Sequence, residues 1–204
     1  GTPFDWNNPE HKSNPYANRD PRLAMSILTN NVEFKDRTIE AWTGGRDGKG
    51  VIHATRTGYY IYKFIDPNLD LLQNRTSVHH WVIMRYAEIL LSYAEAMNEA
   101  YGPTGNVGYR LNAVRALNQV RNRVGVEMPA VPTAISKEEL REKIRNERRV
   151  ELAFEDHRFW DVRRWMIAEQ EGVMSGAMYG IKIYWINSSP QEFRYCLLYT
   201  SPSP

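Results

Sequence analysis

The stretch ERRVELAFEDHRFWDVRRW, residues 147–165, constrains this chain more than any other. It is too charged for an ordinary core helix and too aromatic for a solvated one. The segment just before it, VPTAISKEELREKI, opens a helix. Ser136 followed three residues later by Glu139 is a capping box, and Glu138 and Glu139 suit the positive helix end. At helical spacing the apolar stripe of Leu140, Ile144 and Phe154 also carries Glu147, Glu151 and Arg158. Charges on an apolar stripe are either catalytic groups or a built ion network.

The catalytic reading has some geometry behind it. Glu147 and Glu151 are four residues apart, which sets their Cβ atoms about 6 Å apart on one helix face. Retaining glycosidases use carboxyls about 5–5.5 Å apart. However, Arg145, Arg148 and Arg149 surround the pair and keep both acids ionised, whereas a general acid needs a raised pKa. The structural reading assigns Glu147, Arg148, Glu151 and Arg158 to an ion network, because buried carboxylates must find cations. Arg85, Arg110, Arg115, Arg121 and Arg123 are the arginines on offer, and a guanidinium fork bridges two carboxylates. Phe159, Trp160 and Trp165 are expected to cover the network, which would fix the register of three helices. Glu147 and Glu151 are therefore expected to pair with arginines, shielded from water.

Three segments are expected: a loop-rich ligand side over 1–77, a helical core over 78–170 and a variable end over 171–204. The first segment holds turn chemistry in NNPEHKSNPYANRDPR, a loop in TGGRDGKG and a short strand in TGYYIYKFI. The helical core begins with WVIMRYAEILLSYAEAMNEAYGP, where Tyr86, Leu90, Tyr93, Met97 and Tyr101 recur at steps of three and four before Gly102-Pro103. Next comes YRLNAVRALNQVRNRVG, with Leu111, Val114, Leu117 and Val124 on one side and Gly125 as the stop. The spacing predicts helices over 82–101, 109–124 and 137–154. The first two are expected to pack antiparallel, with alanines at 87, 94, 96, 113 and 116 allowing close approach. The fold class is mainly α, a tetratricopeptide-like helical hairpin plus a further helix, beside a loop-rich segment carrying short strands.

Composition narrows function further. The 204 residues are 42% hydrophobic and 25% charged with a net charge of +2, which is globular and too balanced for a nucleic-acid groove. The single cysteine, Cys196, makes no intrachain disulfide. Adjacent His79 and His80 lack the spacing of a zinc site, and Gly44, Gly45, Gly48 and Gly50 lack the lysine-plus-serine ending of a phosphate loop. Neither GxSxG nor a Ser-His-Asp grammar occurs. Asp36, Asp47 and Asp66 do not make a calcium loop. No metal and no cofactor are expected. The opening GTPFDWNNPE, without Met, reads as part of something longer. Surplus aromatics either fill a core or stack on a ligand. Trp6, beside Asn7 and Asn8, and Trp42, beside Gly44, Gly45 and Arg46, are the glycan-contact candidates if they face outward with Phe4.

The opening stretch strongly resembles the signature near the C-terminal end of the SusD/RagB family, surface glycan-binding lipoproteins of Bacteroidetes-type bacteria. Three other pieces agree in order: NPYANRDPRL, GYYIYKF, and RYAEILLSYAEAMNEA followed by LNAVRALNQVRNRVG. The resemblance covers roughly residues 1–170. It implies a non-enzymatic protein at the outer-membrane surface that binds glycan and passes it to a TonB-dependent, SusC-like transporter. It also implies membrane association through a lipid anchor that lies outside these residues, together with the family's N-terminal half. The tail FRYCLLYTSPSP departs from the family's Pro-Ile-Pro segment and shows neither helical nor strand period. Residues from about 196 are read as non-native. The alternative is a helical tetratricopeptide-like scaffold that binds only protein partners. Such a scaffold has no reason to expose Phe4, Trp6 and Trp42 on loops.

Overall fold

The computed structural model describes residues 4–70, 72–78, 82–176 and 178–200. His79 and His80, weighed above as a metal pair, lie outside them. Among the described residues there are six helices and three two-stranded antiparallel ladders. They divide into two compact units, one comprising Asp20–Arg22 and His79–Trp165, the other Gly1–Arg19, Leu23–Val78 and Met166–Pro204. In chain order the shorter elements are α1 (Pro9–Ser13), α2 (Arg22–Ser26), β1 (Ile27–Leu28), β2 (Glu33–Phe34), β3 (Arg37–Thr38) and β4 (Tyr60–Ile61).

The helical unit is built on α3 (Tyr86–Tyr101), α4 (Ala113–Arg121), α5 (Lys137–Glu151) and α6 (His157–Arg164), with α3 packed against both α4 and α5. α3 ends where expected, at Gly102, whose φ of 76° suits a residue without a Cβ. Its buried face is turned from the expected stripe. Leu90, Leu91, Ala94, Met97 and Asn98 are inside, while Tyr86 and Tyr101 are exposed. α4 is shorter than expected because Asn112 accepts a hydrogen bond from the Arg115 amide and so begins the helix after itself. Val124, assigned to the stripe, lies beyond the helix end and is exposed. Ala94, Ala113 and Ala116 are fully buried, so the helices approach closely at small residues.

α5 carries the expected capping box: the Ser136 side chain accepts from the Glu139 amide, and the Glu139 carboxylate accepts from the Ser136 amide. Leu140 and Ile144 are buried, as the stripe required. The helix stops at Glu151, however, and Phe154 does not continue its stripe. Phe154 and Asp156 have φ of 65° and 61°, in the left-handed region. Two such residues break the helix, and the chain restarts as α6. Phe154 is left exposed.

The second unit closes on a β-hairpin, β5 (Met178–Ser188) with β6 (Gln191–Thr200). Residues 193–200 of the tail are thus strand, a correction to its reading as aperiodic. The signal was in its partner: Ile181 and Ile183 alternate, and both are buried. Gly180 sits where an added Cβ would fall 2.5 Å from the Thr57 carbonyl oxygen, and the Ile181 amide donates to that same oxygen at 2.7 Å. Only glycine lets the strand come this close. Ile181 and Ile183 form a core with Leu28, Ile39, Ala41 and Trp42.

Candidate functional site

The charged stripe resolves into a buried ion network inside the helical unit. Glu147 and Glu151 are 1% and 2% exposed. The Arg22 Nη1 atom bridges them, donating to Glu147 Oε1 at 2.5 Å and to Glu151 Oε2 at 2.8 Å. Arg121 reaches the other oxygen of Glu147 at 2.6 Å. Arg123 and Arg85 reach Glu151 at 2.7 and 2.6 Å, and Arg85 continues to Glu155. Arg22 is itself held by Asp20 through a two-point contact at 2.6 and 2.8 Å. Of the arginines proposed as partners, Arg85, Arg121 and Arg123 take part. Arg22 was missed, although it stands in the RDPR run that carried part of the family resemblance.

Arg148 is buried too, but it belongs to a neighbouring group: its Nε donates to Asp161 at 2.9 Å and its Nη1 to Ser92 at 3.0 Å. Arg158 does not join the network. It lies beyond the break after α5, and among the described residues no carboxylate comes within ion-pair distance of it. The aromatics do not cover the ions either. Phe159 and Trp160 are exposed, and Trp165 instead donates its indole N–H to Glu95 at 2.8 Å.

This geometry opposes acid–base chemistry. Burial pushes the Glu151 carboxyl up, but hydrogen bonds from Arg123, Arg22 and Arg85 outweigh it and bring the pKa down to about 2. A general acid needs the reverse shift and access to substrate. A carboxylate whose pKa is lower folded than unfolded contributes stability above its unfolded pKa of 4.5 and loses it as pH falls toward about 2. Unfolding free energy should therefore drop by about 3 kcal/mol across that window through Glu151 alone. Urea titrations on acidification check this, and the Glu151→Gln variant should show a flatter profile.

The two tryptophan candidates part company. Trp42 is only 8% exposed and makes edge contact with Trp185 at 4.7 Å, with Phe193 beside it at 5.4 Å. The TGGRDGKG loop folds over it: an added Cβ on Gly48 would sit 2.0 Å from the Trp42 carbonyl oxygen, and one on Gly45 2.9 Å from the indole. Asp47 pins that loop through Arg37 at 2.7 Å and the Glu40 amide at 2.8 Å. The expectation of an outward Trp42 is thus corrected; it packs beneath its loop.

Trp6 is half-buried and lines a cleft of about 340 Å³ with Phe4, Arg19, Tyr59, Tyr179 and Leu197. Phe4 meets Trp6 edge-on at 4.8 Å, and the Arg19 guanidinium lies 4.5 Å over the Phe4 ring. Tyr16 forms part of the lining; burial, then the neighbouring Tyr59 and Tyr195 phenols, push its pKa up, so it stays neutral. Asn8, named as a partner for Trp6, is already committed, because its side chain caps α1 by accepting from the Glu10 amide at 2.9 Å. Sequence reading missed Tyr59, Tyr179 and Leu197, which the fold brings to Trp6 from distant stretches.

Solved chains with this arrangement of elements are SusD-like proteins. One SusD-like protein of Bacteroides fragilis NCTC 9343 aligns with a TM-score of 0.62 at 30% identity, covering 91% of this chain and 34% of its own. A second from the same organism, described as a SusD-like carbohydrate binding protein, aligns with a TM-score of 0.65 at 32% identity, covering 88% and 35%. SusD-like protein P2 of Formosa agariphila is 35% identical over 111 residues, 52% of this chain and 20% of that protein. The chain belongs to the SusD family, whose pattern it matches over residues 4–195. It spans about a third of the length of the solved relatives and a fifth or less of the curated ones.

Proposed function

We propose that this chain is part of a non-catalytic glycan-binding protein of the bacterial outer-membrane surface, and that the cleft beside Trp6 contacts sugar. The observation that carries the reading is the cleft itself, in a family with a relative described as carbohydrate binding. Aromatic planes suit the apolar C–H faces of a pyranose ring, and the Arg19 guanidinium and tyrosine hydroxyls suit its hydroxyl groups. In this reading the segment over residues 1–77 is the ligand side, and α3 with α4 forms a tetratricopeptide-like pair. A lipid anchor outside these residues holds the protein to the membrane, and a SusC-like TonB-dependent transporter receives the glycan. The ion network of Glu147 and Glu151 with Arg22, Arg85, Arg121 and Arg123 is structural, and so is the neighbouring pair of Arg148 with Asp161. Burial of Trp42 weakens the case against a purely protein-binding scaffold, which now rests on Phe4 and Trp6.

The test is oligosaccharide titration of the full-length protein. Trp6→Ala should weaken binding about tenfold, the worth of one good stacking contact, with its melting temperature nearly unchanged. Unchanged affinity for every glycan that the wild type binds would place the sugar site elsewhere.

A further inference from the structure

We infer that the turn between α5 and α6 forms a second ligand site, one for an acidic saccharide. A hollow of about 580 Å³ opens there, lined among others by Arg149, Phe154, Arg158, Phe159 and Trp160. This is within the roughly 300–1,000 Å³ usual for small-ligand sites. It lies wholly inside the helical unit and shares no residue with the cleft at Trp6.

Charge is the first reason. Arg148 and Asp161 also line the hollow but neutralise each other at 2.9 Å, and Arg164 adds a second contact to Asp161. Arg149 and Arg158 have no carboxylate within ion-pair distance among the described residues. Arg163 is likewise without one; its guanidinium lies 3.5 Å over the Phe159 ring. The one other acid in the lining, Asp156, is exposed and pairs with neither arginine. Burial, then repulsion from Arg149, push the Arg158 pKa below its ordinary value against a smaller opposing pull from Asp161. Arg149 is exposed and Arg158 half-buried; the two cations share a hollow without a paired carboxylate among the described residues, and a bound anion relieves their repulsion.

Ring exposure is the second reason. Phe154, Phe159 and Trp160 are 42%, 45% and 66% exposed around the same hollow. Phe159 and Trp160 meet edge-on at 5.1 Å, which holds them at a fixed angle. A small inorganic anion would use the arginines alone. A ligand that also covers the rings has an apolar face beside its negative group, as a uronic acid or a sulphated sugar does. The sugar half of this assignment rests on the glycan-binding reading, whereas the anionic half rests on the charges of this hollow.

The experiment titrates the full-length protein with trigalacturonate, with its fully methyl-esterified form, with a sulphated galactan oligomer and with an acidic peptide. The wild type should bind trigalacturonate or the sulphated oligomer, whichever anion fits, and should bind the ester at least about tenfold more weakly. Arg158→Gln and Trp160→Ala should each weaken acidic-oligomer binding by about tenfold or more while leaving neutral-glycan binding at its wild-type level. Trp160 is exposed and Arg158 half-buried, and circular dichroism verifies the folding of both variants; Arg149→Gln serves as a second charge variant. Equal binding of acid and ester, or Arg158→Gln and Trp160→Ala variants that behave as wild type, overturns the site while leaving the Trp6 cleft untouched. Binding of the acidic peptide alone overturns the saccharide assignment. Loss of neutral-glycan binding in Trp6→Ala with no acidic binding anywhere upholds the first reading and defeats this one.

Discussion

Glu151→Ala is expected to destabilise the helical unit by about 3–5 kcal/mol. The size follows from what remains behind. Glu151 accepts from Arg22, Arg85 and Arg123, and Arg22 is only 5% exposed. Truncation leaves that guanidinium with half its bridge, in a place where water does not replace the lost carboxylate. For a chain of this size such a loss lowers the melting temperature by roughly 6–20 °C. A double-mutant cycle with Arg22→Ala separates the network from simple loss of bulk. Residues of one network couple, so the double variant should cost clearly less than the sum of the singles. Additive effects near 0.5 kcal/mol or below, the scale of a surface pair, would show the ions to be solvated and reopen the acid–base reading.

Trp42→Ala is expected to cost about 3–5 kcal/mol as well, in the other unit. The indole is enclosed by Trp185, Phe193, Ile181 and Ile183 from the hairpin and by the glycine loop from above. Removing it opens a cavity that the loop cannot fill, because Asp47 fixes the loop through Arg37 and the Glu40 amide. Thermal melting and limited proteolysis of the 40–50 loop measure this. The outcome separates Trp42 from Trp6: one substitution acts on folding, the other on ligand affinity. A Trp42→Ala protein with wild-type melting and reduced glycan affinity would restore Trp42 to the ligand surface.

The helical unit was legible where its causes are local. Ser136 and Glu139 specify the start of α5 by themselves, and Gly102 its counterpart at the end of α3, since caps depend on residues within one turn. The burial of Glu147 and Glu151 was also legible, because their spacing from Leu140 and Ile144 places them on the buried face wherever the helix packs. The same periodicity misjudged Phe154 and Arg158. A helix break made by positive φ at Phe154 and Asp156 carries no glycine or proline to announce it. The hairpin went unread in both strands: the first lay in the stretch taken as variable, and in the second alternation is faint and pairing with β5 supplies the order.

The sequence by itself determined that two carboxylates would be buried and would need cations, because desolvation allows nothing else. It did not determine which cations. Arg22 stands 125 residues from Glu147, and no pattern along the chain relates the two; only closure of the fold brings them within hydrogen-bonding distance. Trp42 shows the same division. Its size and its glycine-rich neighbours were readable, but outward and inward positions share one local sequence. The choice was made by Ile181, Ile183, Trp185 and Phe193, whose apolar faces had to be covered and had Trp42 within reach.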